Sequence, residues 1–475
     1  MHRASGTSFL DSIGIVGMAP IEPVVLAALI TAEPLLLIGP HGTGKSFLLN
    51  RISAAMGLAC RHYNASLLNF DDLVGYPLPN GRGQLEYVCT PSAIWGAQTV
   101  FLDEISRCRP DMQNKLFPII HEKRVQGIEL EELHYRWSAM NPPRLEEDIE
   151  TAYVGSEPLD TALADRFAFV VEMPAWNDFS EDEQARVIRS RDGGATPARD
   201  PGFSETVDHA RRMCVEQSEE LESSLVGYVR LLVSLLGRAG ISLSPRRAGM
   251  LLRNILAVHA ANCLLRIGVS LKDSALLAVT HSLPQKAQGI RVDPVKLLAA
   301  HREAWNAAQI SEDDPSRAVF HESDPLRRVI KASLAHSLSQ EDFSSIVADA
   351  LAALPTGGRH ALAFRLFESA SAGRLVAAIA EQCAELYALV SIAQEVHESV
   401  QSKSPRHRTW QRIVDMLARL EPEREDTVLK TNLLCGLFSA GQLAVEKDVE
   451  RAVAEWDRVI GSVSLPRSEA GLKVA

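Results

Sequence analysis

The sequence predicts an α/β layer fold, a parallel sheet with helices on both faces, followed by two all-helical stretches. Three observations carry this. Short, nearly continuous apolar runs alternate with helical patterns as far as Val171. A glycine-rich turn, Gly39-Pro-His-Gly-Thr-Gly-Lys-Ser46, joins the first of those runs to the helical pattern after it. Beyond Asp192–Gly202 the strand signal vanishes.

The strand candidates are Leu35–Ile38, Val100–Leu102, Trp137–Met140 and Phe167–Val171. Unbroken apolar character suits strands covered on both faces of a parallel sheet, and helical stretches between them give the layers. Two insertions read as hairpins. Pro77–Val88 carries an Asn80-Gly81 turn signal, and Val125–Arg136 carries Gly127 with alternating side chains. Asp192–Gly202 reads as a linker, and Ser311–Pro315 and His321–Pro325 form a second break. The expected domains are an α/β domain over 1–190, a helical lid over 203–308 and a helical C-terminal domain over 326–475. In the last, Leu375, Ile379, Cys383, Leu386, Val390, Ala393, Val396 and Val400 step by three or four residues. They predict one helix with a continuous apolar face, a packed core helix or an oligomer seam.

Composition narrows the function classes. At about 150 residues per domain, 475 residues suggest three domains. The 46% hydrophobic and 23% charged content excludes a wholly disordered chain. A net charge of −11 argues against a general nucleic-acid binder, though a local basic patch stays compatible with it. The seven cysteines are scattered without a CxxC pair, which argues against a disulfide scaffold or a structural zinc site. Asp11 interrupts the N-terminal apolar stretch, so no signal peptide is expected. The most apolar run, Pro23–Gly39, is broken by Glu33 and Pro34, and none reaches the ~20 residues of a membrane span. The expectation is a cytoplasmic chain with no membrane partner.

The chemistry starts at the glycine-rich turn. Gly39, Pro40, His41, Gly42, Thr43, Gly44, Lys45 and Ser46 match G-x-x-x-x-G-K-[ST] between a strand and a helix, the context this phosphate-binding loop requires. Its glycines let backbone N–H groups turn onto phosphates, and the helix N-terminus adds its dipole. Lys45 is expected on the β/γ-phosphates and Ser46 on Mg²⁺. The second strand ends in Val100-Phe101-Leu102-Asp103-Glu104, an apolar strand closing on two acids. Asp103 suits the Mg²⁺ shell, and Glu104 suits the base that activates a water in line with the γ-phosphate. Asn141, at the end of the third run, can orient that water. Before Pro142-Pro143 it equally suits a turn.

Taken in order, these motifs resemble the AAA+ ATPases, and within them the MoxR-like group, from about Ile13 to Gln288. Gly14-Ile15-Val16-Gly17 resembles the family's adenine-side segment, which places Ile15 and Val16 at the nucleotide. Asp72-Leu-Val-Gly75 resembles the start of its helix-2 insertion. Leu102-Asp-Glu-Ile-Ser-Arg107 is close to D-E-I-N-R, with Ser106 in place of Asn. Trp137-Ser-Ala-Met-Asn-Pro142 resembles the sensor 1 segment, Leu159–Phe167 the L-x-x-A-x-x-D-R-F motif, and Leu243-Ser-Pro-Arg246 the sensor 2 segment. The resemblance implies that Asn141 is sensor 1, that Arg166 is a finger on a neighbouring subunit's ATP, and that Arg246 is sensor 2. Arg247 competes for that last role, Arg166 also suits a local cap, and Arg107 suits either an interface or a local pair.

The expectation is therefore an ATP-hydrolysing, Mg²⁺-dependent AAA+ P-loop NTPase core with a helical lid and a helical C-terminal domain. The resemblance implies a ring, usually a hexamer, a protein client, and a partner carrying a von Willebrand A domain on a separate chain. The chain itself has no D-x-S-x-S metal site. The rivals are a DNA-acting motor subunit, as in restriction or helicase systems, and a nucleotide switch with little turnover.

Overall fold

The computed structural model describes residues 8–79, 81–82, 85–143, 156–189, 199–266, 268–310, 314–320, 322, 324–393, 396, 404–421 and 424–465. The chain divides into two compact units, residues 1–308 and 309–475.

The first unit runs α1 (Glu22–Thr31), β1 (Leu35–Ile38), α2 (Lys45–Met56), β2 (Cys60–Asn64), α3 (Phe70–Val74), β3 (Tyr76–Pro79), β4 (Leu85–Val88), β5 (Thr99–Asp103), α4 (Pro110–Phe117), β6 (Arg124–Val125), β7 (Ile128–Glu129), β8 (Tyr135–Met140), α5 (Thr161–Ala164), β9 (Phe169–Glu172), α6 (Glu181–Arg189), α7 (Pro201–Arg238), α8 (Pro245–Leu265), α9 (Leu271–Thr280) and α10 (Pro294–Ala308). Its five-stranded sheet has the order β2-β5-β8-β1-β9, with every pairing parallel. The apolar runs become β1, β5, β8 and β9, and β1 and β8 are buried throughout. The fold class read from the sequence is the fold observed.

Strand β2 is the addition. Cys60-Arg-His-Tyr-Asn buries only Tyr63, so it carries no apolar run. It is a strand because β5 offers its edge, with His62 opposite Phe101 and Asn64 opposite Asp103. The first hairpin pairs Tyr76 with Val88 and Pro79 with Leu85; its expected turn residue Asn80 lies outside the described residues. The second is shorter than the stretch Val125–Arg136. Gln126 (φ 49°) and Gly127 (φ 81°) turn it between β6 and β7, the two left-handed residues of a type I′ turn. Tyr135 and Arg136 belong instead to β8, where they pair with Thr99 and Val100.

Most of the expected linker, 192–198, lies outside the described residues. Pro201 and Gly202 open α7, because Asp200 caps their N–H side by accepting from Gly202 and Phe203. The 38 residues of α7 span about 57 Å, packing on α1 and α2 and also on α8 and α10. Helix α8 departs from the expectation that no segment is long and apolar enough to cross a membrane: it is both. Yet it buries Arg247, Asn254 and Asn262, and it packs on α1, α7 and α9 as a core helix does.

The second unit is helical: α11 (Pro315–Phe320), α12 (Pro325–Leu334), α13 (Gln340–Ala353), α14 (Thr356–Glu368), α15 (Ala377–Ser391), α16 (Pro405–Leu417), α17 (Glu425–Ser439) and α18 (Glu446–Ser462). Phe343, Leu362, Leu366, Leu433, Phe438 and Trp456 centre its core. The long helix expected over Leu375–Val400 stops at Ser391. Cys383 and Val390 are buried in that core. Ile392 turns extended and is 60% exposed, while Val396 still packs against the core from beyond the helix end, so the apolar spacing outlasts the helix and not the core. Residues 397–400 lie outside the described residues.

Candidate functional site

The site forms where β1 and β5 end beside α2. Gly42 (φ 80°) and Gly44 (φ 82°) take left-handed backbone with open space where a Cβ would stand. The loop can therefore curl around a ligand and hand its N–H groups to α2. Lys45 is buried, and its ammonium donates to the carbonyls of Gly39 (2.6 Å) and Pro40 (2.9 Å) and to Asn141 Oδ1 (3.3 Å). Burial holds this ammonium below its ordinary pKa, against the opposite pull of Asp103 and Glu104. Thr43 braces the loop through its hydroxyl on the Pro40 carbonyl (2.8 Å).

Strand β5 delivers the acids. Ser46 Oγ donates to Asp103 Oδ2 at 2.6 Å, and the Glu104 N–H donates to Asp103 Oδ1 at 2.9 Å. His62 Nε2 stands 3.5 Å from Asp103 Oδ2. Burial works to raise the Asp103 carboxyl, but the bonds from His62, Ser46 and the Glu104 backbone outweigh it and hold it below the ordinary range. A hydroxyl and a carboxylate side by side are hard oxygen donors. They fit Mg²⁺, which takes few protein ligands and keeps waters and phosphate oxygens around it.

Glu104 turns the chain out of the sheet with left-handed backbone (φ 54°, ψ 38°). For a non-glycine residue that costs on the order of 1–3 kcal/mol, and such strain concentrates at functional sites. Its carboxylate faces Arg107 at 3.8 Å, so Arg107 pairs locally.

Strand β8 adds Asn141, which is 4% exposed. Its amide nitrogen lies 3.2 Å from His41 Nε2. Its own carbonyl lies 3.0 Å from Ser156 Oγ, which also contacts Ser106 Oγ at 3.2 Å. His41, Gly42, Gly44, Lys45, Ser46, Asp103, Glu104 and Asn141 thus line one cleft of about 350 Å³.

Other expected residues stand elsewhere. Ile15 is buried and, with Val16, lies outside the cleft lining. Arg166 also lies outside it; its guanidinium donates to the Ala162 carbonyl (2.5 Å) and stacks 4.6 Å over the Phe117 ring. Arg246 faces Asp165 at 3.5 Å and is not in the lining either. Both cations act on His121, whose pKa is lowered first by burial and then by Arg246 and Arg166.

Arg247 is fully buried, within hydrogen-bonding distance of the carbonyls of Ala164, Asp165, Phe167, Ala168 and Ser282. Burial lowers its pKa to about 10, against the pull of Asp165. It fastens α8 to the segment that carries Arg166. Sequence reasoning missed this clamp, and it missed His62. The only available signal was the Arg246-Arg247 pair at a helix start; nothing around His62 in the sequence marks it.

Residues 34–167 match the family model for the AAA domain of the dynein-related subfamily. That stretch contains the whole cleft lining and Arg166, while α6–α10 and the second unit lie beyond it. A crystal structure of a provisionally assigned ATPase from Cytophaga hutchinsonii is 20% identical and covers 62% of this chain and 92% of its own, at a TM-score of 0.45. A likeness so distant carries no activity across.

Proposed function

We propose that this chain binds and hydrolyses ATP as a ring-forming AAA+ ATPase of the MoxR-like type. It would use that energy to remodel or activate a protein client, working with a separate protein that carries a von Willebrand A domain. One observation carries the ATPase reading: Lys45, Ser46, Asp103, Glu104 and Asn141 converge on one cleft from three separate elements. The match of 34–167 to an AAA domain supports nucleotide as the ligand. The ring, the client and the partner rest on the resemblance in the sequence motifs.

In this reading the phosphates settle on the loop N–H groups, and Lys45 exchanges the Gly39 and Pro40 carbonyls for phosphate oxygens. Ser46 and Asp103 would hold Mg²⁺, which neutralises charge on the β- and γ-phosphates. Asn141 orients a water towards the γ-phosphorus. Glu104 takes that water's proton as the oxygen attacks and the bond to the β-phosphate oxygen breaks. Arg246, and Ile15 and Val16 on the adenine side, would meet the parts of the nucleotide that extend beyond this cleft, as the sequence resemblance implies.

Two variants test this. Glu104→Gln keeps shape and hydrogen bonding but cannot take a proton, so it should bind ATP and lose about 10²–10⁴ in turnover. Lys45→Ala should lose binding, since each charge-assisted bond contributes about 1.5–3 kcal/mol. Equilibrium binding of a fluorescent ATP analogue and steady-state phosphate release are the measurements. Turnover of Glu104→Gln within about twofold of wild type would remove Glu104 as the base. Normal nucleotide affinity in Lys45→Ala would remove the phosphate site itself.

A further inference from the structure

Asp103 has a neighbour that no motif assigns. His62 lies on β2, the strand the sequence does not announce. The parallel register sets it opposite Phe101, and Asn64 opposite Asp103. Side chains alternate along a strand, so His62, Phe101 and Asp103 share one face of the sheet. The imidazole stacks on the Phe101 ring with centroids 4.3 Å apart and 28° between planes. That packing aims Nε2 at Asp103 Oδ2, 3.5 Å away. Ser46 reaches the same oxygen from α2, and the Glu104 N–H holds Oδ1.

We infer that His62 is a positioning residue for the divalent cation of the nucleotide site, its ring N–H orienting the Asp103 carboxylate from the β2 side. Carboxylates that ligate metals depend on such outer partners, whose loss typically lowers metal affinity about 10–100-fold. The Phe101 stack fixes the imidazole plane, and β2 fixes the distance, so the donor is in place before any ligand arrives. The inference rests on the nucleotide-site reading above. It adds a residue that acts on the cation step and not on the nucleotide itself.

The test separates donor from packing. His62→Phe keeps the stack on Phe101 and removes the N–H, whereas His62→Gln restores an N–H. The full-length protein is titrated with mant-ADP in EDTA to read metal-free nucleotide affinity. It is then titrated with Mn²⁺ in the presence of ADP, free Mn²⁺ being read by electron paramagnetic resonance. His62→Phe should match wild type in EDTA and lose about tenfold or more in Mn²⁺ affinity, with His62→Gln recovering most of the loss. Wild-type Mn²⁺ affinity in His62→Phe overturns the inference, and so does a loss in His62→Gln as large as in His62→Phe. Should His62→Phe also weaken mant-ADP in EDTA or melt early, His62→Leu is compared with His62→Gln instead: Mn²⁺ affinity lost in the first and kept in the second supports the role, and equal affinity in the two overturns it. Asp103→Asn tells the two readings apart. If it loses Mn²⁺ while His62→Phe does not, only the role of His62 fails. If it too binds Mn²⁺ as wild type does, or wild type binds no mant-ADP, the nucleotide-site reading fails with it.

Discussion

Arg246 and Arg247 are adjacent and do different physical work. The Arg246 side chain is 41% exposed, in a pair of 3.5 Å with Asp165, an interaction typically worth under about 1 kcal/mol. Arg247 is sealed from water, and its guanidinium serves five main-chain carbonyls. Removing it strands those carbonyls and leaves a cavity. Arg247→Ala should therefore destabilise the first unit by at least about 3 kcal/mol. Arg246→Ala should stay within about 0.5 kcal/mol of wild type. Urea unfolding followed by tryptophan fluorescence gives both values. Equal losses in the two variants would show that burial is not what distinguishes them.

Helix packing sets different demands in the second unit, where α14 lies against α18. A Cβ on Gly357 would stand 2.1 Å from the Ala452 carbonyl oxygen, and backbone cannot move aside as a flexible side chain can. The Gly357 N–H also donates to Glu455 Oε2 at 3.2 Å, fixing the approach. Gly357→Ala should force the helices apart and cost roughly 1–3 kcal/mol or more. Gly373→Ala, with nothing within 4 Å of the added carbon, should have little effect. Thermal melts of both full-length variants check this, and a Gly357→Ala melt coincident with wild type would show that the helices separate at little cost. In the first unit Glu104 is the comparable constraint: its left-handed backbone turns the end of β5 so that Asp103 and Glu104 both reach one cleft.

At the scale of assembly, the proposed ring gives Arg166 its role. Its guanidinium lies outside the cleft of its own chain, stacked on the Phe117 ring. An arginine that acts on a neighbour's ATP has this placement, and such fingers contribute about 10³–10⁵ in turnover. Arg166→Ala should bind ATP nearly as wild type does and hydrolyse it poorly. Mixed with Lys45→Ala subunits it should regain activity, because a Lys45→Ala subunit still offers Arg166 to a neighbour whose Lys45 is intact. Each variant alone should be inactive. Phosphate release from mixtures whose co-assembly is verified by native mass is the measurement. No recovery would place the finger elsewhere or within its own chain.

Periodicity and local motifs made much of this protein legible in the chain itself. Four of the five central strands are short apolar runs, because a strand covered on both faces has no polar side to display. The phosphate loop and the acids at the end of β5 were equally plain, since glycine spacing and strand-end carboxylates are local patterns. Strand β2 was hidden: at the sheet edge it buries only Tyr63, and its existence depends on hydrogen bonds that β5 supplies from 39 residues later, as Cys60 pairs with Thr99. Helix α15 was overdrawn because the apolar repeat continues past the end of the helix: Val396 still packs on the core, but from chain that is no longer helical. His62, Arg247 and the Lys45–Asn141–His41 chain of contacts were illegible for one reason. Each is defined by partners far apart in sequence, and only folding brings a donor to within 2.6–3.5 Å of its acceptor.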